Sequence, residues 1–384
     1  MFPRSLLLLL LPLCAATVAR AQQEAPAKAE EQRAGNGYYS TYGNVQPAQE
    51  GYQGAWKATE LQRAVELWKT ICADRPQDVN AQFNLFRSER NARMENNNGR
   101  LDAGDERELK DIAERIQSTA PNSFEQHMAD YYVSFPSDKA DVELDQAKAL
   151  GPDRPEVILP ALDRANAEGD LAGLDRWCLA LEQRGGLAPA LAIVARDLLK
   201  SVADDGIVFA NGDMDVAPAL VQQRLHAVRR DVLVIDQRLL ADAGYRQRMW
   251  STARAQGPVP ASGPAFAKAL HGATSRPVHL ALSLDRAWFD AFPGQLCNVG
   301  ITFALCPARV TDFEELEQGW KRLERTADAG PLSRNYLLPG SMLLGFYRSL
   351  DAEGDAAVLE LELRRIATAT GAMQDLYKAG VLQH

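Results

Sequence analysis

Apolar residues along most of the chain recur at three- and four-residue spacing, a period that predicts helices. Between Ala55 and Val202 only short polar, Pro- or Gly-marked stretches interrupt it. Trp56, Leu61, Val65, Leu67 and Trp68 mark one amphipathic helix that ends near Asp74-Arg75-Pro76. Phe83, Leu85 and Phe86 belong to a second, about 79–94, which the run from Asn96 to Gly99 breaks. Further helices are predicted over about 103–119 and 122–134. From Asp141 to Val202 the pattern reads as paired antiparallel helices. Pro152 and Pro155 open one, Glu168-Gly169-Asp170 separates the next, and Gly185-Gly186 turns into a last one from about Pro189.

At Asp204 the pattern changes. Gly206 to Ala210 is a short continuous apolar run, the form of a strand buried on both faces. Asn211-Gly212-Asp213-Met214-Asp215 is a turn, and a helix follows from Val216 to about Val228. Asp231 to Asp236 and Pro277 to Leu282 are further buried strands, with helices between them at about 242–255 and 264–272. A fourth strand falls around Gly300 to Leu305. Strands alternating with helices imply parallel pairing and right-handed crossovers, hence a small Rossmann-like layer. Helices return from about Asp312. Leu337 to Leu350 and Ala356 to Thr370 form a hairpin around an Ala352-Glu353-Gly354-Asp355 turn.

The expected fold is therefore mostly α with an α/β module. A helical-repeat region over 55–203 precedes a parallel-sheet module over 204–310, and a helical region over 311–384 follows. The Ala-rich helices joined by Glu-Gly-Asp turns resemble tetratricopeptide-type hairpins. Such arrays stack helix pairs into a curved surface that commonly binds other proteins.

The first residues set the expected compartment. Arg4, the apolar run from Ser5 to Val18 and Ala19-Arg20-Ala21 read as a secretory signal peptide over 1–21, cleaved before Gln22. The run is too short to span a bilayer. A lipid on Cys14 would need a small residue where Leu13 stands. Residues 22–54 are rich in Gln, Ala, Glu, Gly and Tyr and read as a disordered linker. The expectation is an exported chain, periplasmic or secreted, with no membrane span after cleavage.

Lys and Arg number 42 against 51 Asp and Glu, a net charge of -9. Losing Arg4 and Arg20 takes this to -11. Such a chain, without a basic patch, excludes nucleic acid and anionic lipid as partners. Four cysteines remain: Cys72, Cys178, Cys297 and Cys306. They allow three complete pairings, which sequence cannot choose among, and are read as ordinary buried residues. The five histidines lack ligand spacing, and His279, on an apolar strand, reads as a core residue.

The turn after the first strand is the candidate site. In open α/β sheets, ligands bind beyond the carboxyl ends of the strands, at helix N-termini. Asn211, Gly212, Asp213 and Asp215 stand there, and Asp236 ends the next strand; Gln237 and Ser283 are further candidates to converge on it. Asp213 and Asp215 would hold Mg²⁺ or Ca²⁺ through oxygen ligands. The competing reading has one of them cap the helix while Gly212 supplies a positive φ. A glycosyltransferase-type DxD lacks the rest of a nucleotide-sugar pocket. A haloacid-dehalogenase nucleophile would occupy the position of Ala210 or Asn211. A dinucleotide fold needs a GxGxxG that is absent.

Phe209 to Asp215, Pro218, the RRDVLVID of Arg229 to Asp236 and the following Leu239-Leu240 carry a resemblance. They resemble the soluble C-terminal domain of the bacterial protein O-mannosyltransferase-like membrane protein family, whose pattern is FTNGDNDTFP, a helix, then RPDVxVxNxSLL. Arg276 to Ala281 and Gln295 to Pro307 are similar to two later segments of that domain, so about 200–310 is covered. The resemblance implies a Rossmann-like fold and a role beside glycosylation machinery. It implies no catalysis, because the transferase chemistry belongs to the polytopic part that this chain lacks. Met214, Val216 and Asp236 depart from the pattern's Asn, Thr and Asn, which weakens any ligand site at the turn.

The leading expectation is a non-enzymatic, exported scaffold or binding protein with a protein or glycan partner in the cell envelope and no cofactor. The alternative is a metal-dependent enzyme acting on a sugar or phosphate at Asn211-Gly212-Asp213-Met214-Asp215.

Overall fold

The computed structural model describes residues 58–96, 101–135, 137–306 and 311–383. The expected signal peptide (1–21) and linker (22–54) lie outside the described residues. Eight α-helices precede the sheet: α1 Ala58–Asp74, α2 Val79–Asn96, α3 Ala103–Thr119, α4 Phe124–Ser134, α5 Asp138–Leu150, α6 Ile158–Glu168, α7 Leu171–Arg184 and α8 Pro189–Lys200. Their ends follow from local chemistry. Asp102 accepts from Gly104 N at 2.7 Å and Asp105 N at 2.8 Å, closing a capping box ahead of α3. Ser123 and Ser137 cap α4 and α5. The Glu168-Gly169-Asp170 turn divides its work residue by residue. Glu168 closes α6, Gly169 takes the left-handed conformation (φ 75°), and Asp170 accepts from Gly173 N at 3.0 Å to start α7. The similar stretch at 352–355 works differently: Asp351 carries the positive φ, and Glu353 already begins a helix. The expected turn is thus the first turn of that helix, where its acids complement the helix dipole.

The module comprises β1 Ile207–Ala210, α9 Val216–His226, β2 Leu233–Asp236, α10 Ala243–Thr252, α11 Pro264–Ala273, β3 Val278–Ala281, α12 Arg286–Asp290, β4 Leu296–Asn298 and β5 Thr302–Leu305. The strands form one five-stranded sheet in the order β2-β1-β3-β5-β4. β1 pairs in parallel with β2 and β3, whereas β5 is antiparallel to both β3 and β4. The all-parallel expectation is corrected here. The α12 crossover brings β4 in running the same way as β3, and a tight hairpin through Gly300 (φ 91°) returns β5 between them. Cys297 and Cys306 form a disulfide across that hairpin, so the reading of all four cysteines as ordinary buried residues fails for this pair; Cys72 and Cys178 are free.

Strand residues alternate between two cores. Ile207, Phe209, Ile235, Val278 and Leu280 pack with the α10–α12 region, including Trp250, Phe266 and Trp288. Val208, Ala210, Val234 and Ala281 face the opposite way, into one core shared with α2–α9 and with the C-terminal helices. Both faces are therefore covered, as the unbroken apolar runs require. The C-terminal part comprises α13 Phe313–Arg322, α14 Leu337–Ser349, α15 Glu353–Thr370 and α16 Met373–Lys378. His279 is a satisfied core residue: its Nε2 accepts from Ala203 N at 3.2 Å, and burial lowers its pKa to about 4. Among the described residues, no helix is long and apolar enough to cross a membrane.

Candidate functional site

The carboxyl edge of the sheet brings together every residue expected there. Ala210 pairs with Asp236 in register, which sets the ends of β1 and β2 side by side. Asn211 then bridges three segments. Its Nδ2 donates to Ser283 O at 3.2 Å, its Oδ1 accepts from Gln237 Nε2 at 3.1 Å, and its backbone N–H donates to Asp215 Oδ2 at 3.0 Å. Ser283 Oγ donates to the same Asp215 oxygen. Asp215 is thus folded back onto the turn and makes no capping bond to α9. The cap expected of Asp213 or Asp215 is absent from both. Burial drives the Asp215 carboxyl up to about 6, against the Ser283 and Asn211 donors and with help from Asp236.

Asp213 points elsewhere. Arg238, two residues past β2, reaches it with Nη1 at 2.5 Å. The same guanidinium gives Nη2 to Asp236 Oδ2 at 2.7 Å and to Asp163 Oδ2 at 3.2 Å, and Nε to Asp236 Oδ1 at 3.2 Å. Asp163 comes from α6, so one arginine ties the helical region to the ends of two strands. Gly212 is required twice over: it takes φ 75°, and a Cβ there would sit 2.6 Å from Arg238 Nε. From the other side Arg90 of α2 lies over the Tyr132 ring of α4, 4.7 Å from its centroid, and lends Asp213 further positive potential.

Three carboxyl groups meet one guanidinium, so the cluster holds more acid than cation. Burial, then Asp213 and Asp236, raise Asp163 well above the carboxylate range, against the pull of Arg238. Burial also penalises Asp213, but Arg238 and the hydrogen bond from Asp163 leave it below its ordinary value. Burial thus favours the neutral form of Asp163, whereas the Arg238 guanidinium favours the ionised form of Asp213. Asp213 and Asp215 do not converge on a common point, since their oxygens serve different partners. Among the described residues, no group of three or more His, Cys, Asp or Glu side chains is arranged to hold a metal ion.

Neither Arg238 nor Asp163 was among the expected site residues. The available signal was Asp163 itself, an acid directly after the apolar run Ile158 to Leu162 and on the same helix, which demands a cation partner when buried.

Beyond Asp163 the helical region and the module leave a cleft of about 340 Å³ between α4, α5, α6 and the start of α10. Tyr131, Phe135, Pro160 and Leu239 supply its apolar surface. Charged groups, acids above all, ring it.

A family model described as TMEM260-associated domain 2 matches residues 192–267. The span runs from α8 into α11 and contains β1, the polar turn, β2 and Arg238. No curated protein and no solved structure matches the chain.

Proposed function

We propose that the chain is an exported, non-enzymatic binding protein of the cell envelope. In this reading a tetratricopeptide-like helical array and a Rossmann-like module jointly present a surface to a protein or glycan partner. The observation that carries it is Arg238. The polar turn, where catalysis would be sought, is filled by the protein's own guanidinium and three carboxyl groups. Binding is left to the cleft beside it. The leader-like segment over 1–21 supports export, and the Cys297–Cys306 disulfide suits an oxidising compartment. An accessory role beside glycosylation machinery rests on the resemblance of Phe209 to Leu240, which falls within the matched span 192–267.

The test is capture of partners from the native envelope by the mature chain. The expected result is a stable, stoichiometric partner; recovery of the bait alone counts against the reading. The metal-dependent alternative requires Asp213 to leave Arg238. Titration with millimolar Mg²⁺ or Ca²⁺ should leave the melting temperature unchanged, whereas saturable stabilisation by either ion would favour that alternative.

A further inference from the structure

We infer that the outer face of α15 pairs with the same face of a second copy of the chain, antiparallel and related by a two-fold axis. This face lines no part of the cleft, and its pairing does not depend on the binding reading above. α15 carries two seams at the alternating three- and four-residue spacing of packed helices. Leu359, Leu363 and Ile366 form the inner one and are buried in the core. Gly354, Val358, Leu361, Arg365 and Thr368 form the outer one, and all five are exposed. Val358 at 71 % and Leu361 at 69 % are the most exposed large apolar side chains among the described residues. A helix surface that faces water is ordinarily polar, so the apolar centre of this one calls for a cover.

The charges at the two ends of the stripe choose the occupant. At the N-terminal end stand Asp351, Glu353 and Asp355, which form no ion pair with other described residues. The helix N-terminus sets only about half a unit of positive charge against them. At the other end cations are in surplus. Arg364 and Arg348 share Glu360 at 2.7 and 2.8 Å, and Arg365 and Arg325 share Glu362 at 2.8 and 3.7 Å, with Asp328 a further carboxylate near Arg365. The order along the face is acid, apolar, base. An occupant must carry that order reversed, and a second copy turned about a two-fold axis does.

An axis midway between Val358 and Leu361 sets each of them against the other in the second copy, and Gly354 against Arg365. A Cβ at Gly354 would meet nothing within 4 Å, so this position leaves room for the incoming guanidinium to reach Glu353 and Asp355. Parallel pairing would instead bring like charges together. At 18 residues α15 is about 27 Å long. One helix-on-helix contact of that length falls short of the roughly 1,200 Å² of a standard stable interface. The pairing is therefore reversible and concentration-dependent.

The test is sedimentation velocity of the mature chain from micromolar to submillimolar concentration. A reversible monomer–dimer equilibrium is expected, with no larger species, because a two-fold contact closes on itself. Val358→Glu/Leu361→Glu, at exposed positions and with a good helix former, should leave the melting temperature of the monomer unchanged. It should weaken the dimer by roughly a hundredfold or more, since it would bury unpaired carboxylates. Asp355→Arg and Arg365→Glu should each weaken self-association by roughly tenfold or more, by setting like charges opposite one another. Mixing these two variants should restore a dimer with one copy of each, because both end contacts then join opposite charges. A chain that stays monomeric throughout, a dimer that survives Val358→Glu/Leu361→Glu, or no recovery on mixing would overturn the assignment.

Discussion

Single side chains at the carboxyl edge of the sheet hold the protein's most exposed energetic liabilities. Asp215 is 4 % exposed, and its folded pKa of about 6 stands above the ordinary carboxylate value of 3.8. The folded state therefore binds the proton more tightly than the unfolded chain. That contribution is fully present below about pH 4 and is lost as pH rises through about 6. It amounts to about 3 kcal/mol. Asp215→Asn mimics the protonated acid and keeps an acceptor for Asn211 N–H. Urea melts should show the variant equal to wild type near pH 4 and more stable by up to about 3 kcal/mol at pH 7. Parallel pH profiles for the two proteins would rule out Asp215 as the source. Arg238 is the opposite case. Replacing it by Ala strands Asp236 as a buried charge and takes the partner from the half-buried Asp213, at a cost of about 3–5 kcal/mol. Arg238→Lys keeps the charge but not the fork that reaches three carboxyl groups, and should lose an intermediate amount. Equal stability of Arg238→Lys and wild type would show that charge alone, without geometry, holds the cluster.

Among the elements, the β4–β5 hairpin depends most on a covalent tie. β4 is three residues long and forms the sheet edge, paired only with β5. The Cys297–Cys306 bond closes a loop with a sequence separation of 9, and removing that constraint from the unfolded chain corresponds to about 3 kcal/mol. Cys297→Ala/Cys306→Ala should lower stability by about that much, with amide exchange rising first over residues 296–305. Uniform exchange with unchanged stability would contradict it. β4 was also the least legible element in the sequence. Leu296-Cys297-Asn298 is too short to show a period, and strand direction is a property of the partner rather than of the segment. Where helix pattern and turn chemistry agreed, as at 103–119, the expected and observed bounds coincide. The candidate site was legible in its residues but not in its connections. Asn211, Asp213, Asp215, Asp236 and Ser283 were expected together. Which carboxylate faces Arg238 and which folds back to Asn211 depends on α6 and on the sheet register, both remote in sequence.

At the scale of the molecule, the chain is joined by contacts between segments more than a hundred residues apart. The expected division at 203 and 310 marks changes of pattern, yet the core on one side of the sheet is continuous from α2 through the C-terminal helices. Asp197 of α8 is the polar centre of that junction. It is fully buried and accepts from Glu324 N and Arg325 N, both at 2.9 Å, and from Tyr336 Oη at 2.8 Å. Its bonds hold Arg325 in a left-handed conformation (φ 53°) that a non-glycine residue adopts at a cost. Asp197→Ala would leave the buried Tyr336 hydroxyl and two part-buried backbone N–H groups without their acceptor, at about 1–3 kcal/mol for the buried donor and less for the other two. Asp197→Asn preserves one acceptor and should cost less. Because both sides share a core, the loss should appear as one cooperative transition moved to lower denaturant, followed equally by tryptophan fluorescence and by circular dichroism. An independent C-terminal unit would instead give two transitions in Asp197→Ala, with the tryptophans of the α10–α12 region unfolding separately from Trp320. The continuity of the core argues for the single transition. It also implies that a partner engaging the helical cleft stabilises the sheet and the C-terminal helices with it, since Asp163 at the cleft and Asp197 at the junction act on the same cooperative body.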